Sequence, residues 1–169
     1  MIVAVDPAGT STKRSDETGI IVAARDREGN GYVISDLSGR YTPEQWARKA
    51  IDAYRRHQAD RIVAEQNYGG AMVEHTLRVV DRSIPYKAVV ASRGKMIRAE
   101  PVLALFEQNR AHIVGSLVEL EDQLCGWEPN SGMPSPDRLD AMTWALSELL
   151  VEPQPQPTRW VFIGDWMVR

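Results

Sequence analysis

The chain has 169 residues, a net charge of −3, and 43% hydrophobic and 25% charged content, the proportions of one ordinary globular domain with a substantial core. No run of about 18 apolar residues is present, and the opening MIVAVD has no basic n-region. Neither a membrane span nor a signal peptide is therefore expected, and the chain reads as cytoplasmic. The slightly acidic balance excludes a uniformly basic nucleic-acid coat but allows a local positive patch.

Ile2 to Val5 is an apolar run ending at Asp6, the pattern of a buried strand. The segment PAGTSTKRSDETG reads as a loop. Gly19 to Ala24 and Tyr32 to Ile34 read as a second and third strand. The Asn30-Gly31 pair between them predicts an antiparallel hairpin, because both residue types tolerate positive φ. Thr42-Pro43-Glu44 opens a helix, with Thr42 as N-cap and Pro43 in the first turn. Arg61 to Ala64 is a fourth strand ending at Glu65, and Met72 to Val80 a helix. Tyr86 to Val90 is a fifth strand, and Ile97 to Gln108 a helix with Glu100-Pro101 in its first turn. Val118, Leu120 and Leu124 suggest a short helix. Ser135-Pro136-Asp137 opens a last one, lined on one face by Leu139, Met142, Ala145, Leu146 and Leu149. This order predicts a mixed sheet covered by helices.

Residues 1–151 are expected to form the domain, and 152–169 a Pro/Gln linker with an apolar tail. The tail cluster of Trp160, Val161, Phe162, Ile163 and Trp166 is expected to pack on this same domain as an extra edge strand or to dock on another component. The single cysteine, Cys125, excludes an internal disulfide and a cysteine zinc cage, and is expected to be buried. His57, His75 and His112 stand far from the motifs and read as surface or core residues.

Four acids stand where chemistry could use them. Asp6 and Glu65 each close an apolar strand, and ligands gather at the carboxyl ends of parallel strands. If those strands are neighbours, about 4.8 Å separates their backbones, and carboxylates that close repel unless a cation lies between them. Asp137 and Asp140, three residues apart, share one helix face. Singly, such acids are loop residues or helix-end charges. Together, oxygen-only ligands suit Mg²⁺ or Mn²⁺ rather than zinc.

The blocks VAVDPAG, DETGIIV, IVAEQNYGG, SRGKMIRAEPVLALFE and SPDRLDAMTWALSEL resemble the C-terminal nuclease domain of phage and gene-transfer-agent large terminase subunits. The resemblance implies an RNase H-like α/β fold, a mixed five-stranded sheet flanked by helices, in which the first and fourth strands are central parallel neighbours. That fold is shared with Holliday-junction resolvases and retroviral integrases. Carried over, Asp6 matches the first-strand acid and Glu65 the fourth-strand acid. Asp137 and Asp140 both fall in the third block, unranked, and Asp16 resembles an accessory acid.

The implied activity is endonucleolytic cutting of double-stranded DNA during genome packaging, by two-metal hydrolysis with two divalent cations, Mg²⁺ or Mn²⁺. Lys13, Arg14, Arg93, Lys95 and Arg98 are the candidate phosphate contacts. The implied partners are the packaging ATPase domain, the portal and the small terminase. No G-x-x-x-x-G-K-[ST] phosphate loop is present, so the motor itself is expected to be absent. Three rivals stay open. VDPAGTSTK resembles the phosphate loop of sugar kinases and actin-like ATPases, which need two such domains. A resolvase would take branched DNA. A non-catalytic packaging module would bind DNA or the portal without cutting.

Overall fold

The computed structural model describes residues 1–7, 17–65, 70–90, 95–127, 136–151, 161–163 and 166–168, with the backbone alone described at 70, 95, 96 and beyond 151. The chain runs β1 (Ile2–Asp6), β2 (Gly19–Arg25), β3 (Gly31–Asp36), α1 (Pro43–His57), β4 (Arg61–Glu65), α2 (Gly70–Val80) and β5 (Tyr86–Val89). It continues through α3 (Lys95–Glu107), β6 (Ala111–Ile113), α4 (Val118–Gly126) and α5 (Asp137–Leu146), which a π-helical turn (Ser147–Val151) prolongs. A hairpin, β7 (Val161–Ile163) and β8 (Trp166–Val168), follows.

Six strands form the main sheet in the order β5-β4-β1-β2-β3-β6. β1 pairs in parallel with β4, β4 with β5, and β3 with β6, while β2 runs antiparallel to both β1 and β3. The carboxyl ends of β1, β3, β4, β5 and β6 therefore share one edge. The central β1–β4 adjacency that the resemblance implied is present. The sixth strand was not expected. β6 is three residues long, too short to show alternation, and follows Asn109, whose φ of 55° ends the preceding helical segment.

Period-two alternation splits the core into two layers. Ile2, Ala4, Ile21, Ala23, Val33 and Val63 pack with α3, α4 and α5 on one face. Val3, Val5, Ile20, Val22, Ile62 and Ala64 pack with α1 and α2 on the other. Thr42 caps α1 as expected, and Gln45 completes a capping box with it. Every residue of α5 is buried, not only one face of it.

Several sequence expectations need correction. Positive φ in the β2–β3 turn falls on Gly29, at 95°, not on Asn30 or Gly31. Asn30 instead bonds Asp26, and Gly31 is small because Leu150 and Leu146 pack on it. The Asp26 carboxylate accepts from Asn30 N (2.8 Å), Glu28 N (2.9 Å), Asn30 Nδ2 (3.0 Å) and the Tyr32 hydroxyl (3.1 Å). The Asn30 backbone bond above all holds its pKa down at about 2. α3 starts at Lys95, so Pro101 lies inside the helix, where it offers no N–H to the carbonyl four residues back. Cys125 is exposed, because α4 turns it away from Leu120 and the core. Among the described residues of the tail, β7 and β8 pair with each other in a separate two-stranded sheet. Among the described residues, no helix is long and apolar enough to cross a membrane.

Candidate active site

Asp6 and Glu65 come to one edge and one face through register and alternation. Val5 of β1 stands opposite Ala64 of β4, so the two acids that follow occupy the next register position on parallel neighbours. Asp6 alternates with Ala4 and Ile2, and Glu65 with Val63, all on the α5 side of the sheet. Both acids are half-buried.

The helix that brings the other two acids reaches the sheet over Gly19. A Cβ at position 19 would stand 2.1 Å from the Asp137 carbonyl oxygen and 2.9 Å from the Ala141 Cβ. Gly19 pairs with Asp6 across β1 and β2, so this contact seats the first turn of α5 beside Asp6. Asp137 and Asp140 lie in that turn, 8% and 4% exposed, where the positive end of the helix dipole favours them. The turn is capped from outside. Gln123 of α4 accepts from Arg138 N (3.1 Å) and Leu139 N (3.3 Å) through its side-chain oxygen.

Two guanidinium groups stand here, Arg98 beside two of the candidate acids and Arg138 beside two other acids. Arg98, on α3, holds Nη1 3.6 Å from Glu65 Oε1 and Nη2 4.0 Å from Asp140 Oδ1. Its guanidinium carbon lies 4.5 Å from the ring centroid of buried Trp144. Arg138, between the two aspartates of α5, reaches Glu17 Oε2 at 2.9 Å and Asp36 Oδ2 at 3.2 Å. Asp36 faces α5 because the β2–β3 register slips between Val22 and Ala23, leaving Ile34 as an extra residue.

Of the residues singled out in the sequence, Glu65 and Asp140 are brought to one guanidinium, and the Asp137 backbone packs on Gly19, the strand partner of Asp6. Asp16, Lys13, Arg14 and Arg93 lie outside the described residues, and only the backbone of Lys95 is described. His57 and His112 are half-buried and His75 is exposed; His112 stacks on Tyr32 at 5.2 Å. Gly19, Asp36, Arg138 and Gln123 went unnoticed. Asp36 ends β3 as Asp6 and Glu65 end their strands, but the bulge, which the sequence pattern does not show, turns it toward α5.

The donor set consists of carboxylate oxygens, which suit Mg²⁺ or Mn²⁺, and Arg98 already sets a cationic group beside two of them. On chemistry the residues fit a divalent ion. As placed, no three described His, Cys, Asp or Glu side chains surround one point closely enough to ligate a metal.

Residues 3–149 match the family model described as the terminase RNaseH-like domain. No curated protein matches the chain. Among solved structures, the large terminase nuclease from thermophilic phage G20c is similar, at TM-score 0.64 and 13% identity over 87% of this chain and 81% of that one. The nuclease domain of the large terminase subunit gp2 of bacterial virus Sf6 follows at TM-score 0.60 and 15% identity, covering 86% of each chain. The yeast mitochondrial Holliday junction resolvase Ydc2 gives TM-score 0.53 and 12% identity over 88% of this chain and 78% of that one. The G20c nuclease is also known with bound cobalt, and a mutant Sf6 domain with calcium. At these identities the likeness is one of fold.

Proposed function

Since the chain belongs to the terminase RNaseH-like domain family, we propose that it is a metal-dependent endonuclease cutting double-stranded DNA during viral or gene-transfer-agent genome packaging. The observation that carries this reading is the approach of the acid-bearing helix to the strand-end acids: Glu65 and Asp140 flank one guanidinium, and the Asp137 backbone packs on Gly19, the strand partner of Asp6. The divalent ions bound in the G20c and Sf6 structures support it.

Two divalent cations, Mg²⁺ or Mn²⁺, would supply an activated water and neutralise charge at the leaving 3′ oxygen. Asp6, Glu65, Asp137 and Asp140 hold them, with Asp16 as an accessory ligand. The acids act as ligands, so the reaction asks for no nucleophilic side chain. The β-sheet fixes Asp6 and Glu65 from behind, and Gly19 sets the depth at which α5 presents its pair. Lys13, Arg14, Arg93 and Lys95 hold backbone phosphates without reading sequence. The packaging ATPase domain, portal and small terminase are the partners this role implies.

The purified chain should nick and linearise plasmid with Mg²⁺ or Mn²⁺ and stop with EDTA. Asp6→Asn and Glu65→Gln should reduce cutting to background while circular dichroism stays unchanged, because each amide keeps the shape and removes the charge. Folded Asp6→Asn protein that cuts at the wild-type rate would overturn the metal-site assignment. The fold shared with Ydc2 motivates a second reading, a junction resolvase, and preference for a four-way junction over linear duplex would favour it.

A further inference from the structure

Arg98 is an enclosed basic residue beside two of the proposed metal ligands. Its side chain is 15% exposed, so it offers little surface to a phosphate backbone. At 3.6 Å and 4.0 Å from Glu65 and Asp140, it lies beyond hydrogen-bond distance of both oxygens. It therefore supplies charge to these two carboxylates without occupying the lone pairs that a metal would use. The Trp144 ring, 4.5 Å away and 6% exposed, is a rigid apolar platform that attracts the guanidinium through its π face. Stacked there, the cation is hindered from swinging out to solvent when another cation arrives.

We infer that Arg98 is a built-in counter-cation of the acid cluster, a positioning residue that holds Glu65 and Asp140 together without metal and weakens divalent-ion binding. The inference rests on the metal-site reading above. Its physical basis is the sign of the charges. Two half-buried or buried carboxylates repel each other, and a fixed positive charge about 4 Å away offsets part of that repulsion, beside whatever other partner Asp140 has, at an effective dielectric where such terms are worth kilocalories. The same fixed charge repels an incoming dication. Removing it therefore has opposite effects on the two states, destabilising the metal-free protein and stabilising the metal-bound one. A residue that only packed on Trp144 would change stability alike with and without metal.

The test is Mn²⁺ titration of the full chain by calorimetry, paired with thermal melting with and without Mn²⁺. Arg98→Gln should lower the metal-free melting temperature and bind Mn²⁺ about ten- to a hundredfold more tightly than wild type. Arg98→Lys, which keeps the charge, should stay within about threefold of wild-type affinity. Should Arg98→Gln be unfolded without metal, millimolar Mn²⁺ should refold it by linkage; a variant that stays unfolded overturns the inference. Equal or weaker Mn²⁺ affinity in folded Arg98→Gln, with wild type binding, overturns the counter-cation role and leaves the nuclease reading standing. Binding by Arg98→Gln where wild type binds none supports it. Absence of binding in both overturns the metal site and this role with it.

Discussion

At position 19 a hydrogen atom in place of a methyl group decides how close α5 comes to the sheet. The Asp137 carbonyl oxygen would stand 2.1 Å from a Cβ there, and the obstacle is backbone, which has no rotamer to swing away. Gly19→Ala should force α5 outward and carry Asp137 and Asp140 with it. We expect a stability loss of about 1–3 kcal/mol from overpacking. Plasmid cutting should fall about a hundredfold, since displacements near 1 Å are that costly for reacting groups. Urea denaturation and a cleavage time course check both, and an alanine variant with wild-type values would mean that α5 is seated by something else.

Among the elements, α5 is tethered at both ends. At its start, Gln123 caps two N–H groups that have no partner within the helix, and Arg138 ties the first turn to Asp36 and Glu17. Past its end, Glu148 in the π-helical turn is 2% exposed and accepts from Arg61 Nη2 and Lys87 Nζ, each at 2.7 Å, joining the turn to β4 and β5. Without partners, burying that carboxylate would be prohibitive. Gln123→Ala leaves two buried donors unpaired and should cost about 1–2 kcal/mol. The urea midpoint should drop with the slope unchanged, whereas an unchanged midpoint would show water replacing the cap.

For the molecule as a whole, organisation turns on the tail. β7 and β8 pair with each other and not with the six-stranded sheet, so no main-sheet hydrogen bonds depend on them. We propose that residues 1–151 are the nuclease unit and that the tail serves contacts with another packaging component, such as the portal or motor. Deleting residues 152–169 should leave plasmid cutting intact and shift the melting temperature by less than about 2 °C, a change well under 1 kcal/mol for a domain of this size. A large drop in melting temperature would mean that the tail packs on the domain.

Short apolar runs, turn residues and helix signals make the order of elements from β1 to α5, β6 excepted, readable along the chain, because they are local properties of adjacent residues. The acids were readable for the same reason: Asp6 and Glu65 interrupt apolar strands, and Asp137 and Asp140 are spaced for one helix face. Their adjacency was not readable from spacing, and came from the family resemblance before the β1–β4 register displayed it. β6 escaped notice because three residues carry too little pattern to separate from a loop. Cys125 is exposed where its small apolar character predicts burial, because that character does not say which way a helix turns it. Gly19 under Asp137, Asp36 turned inward by a bulge, Gln123 capping another helix, and Arg98 between Glu65 and Asp140 were decided only by the tertiary structure. Each is a contact between residues 15 or more positions apart, and such partners are chosen by packing in three dimensions, which no local period encodes.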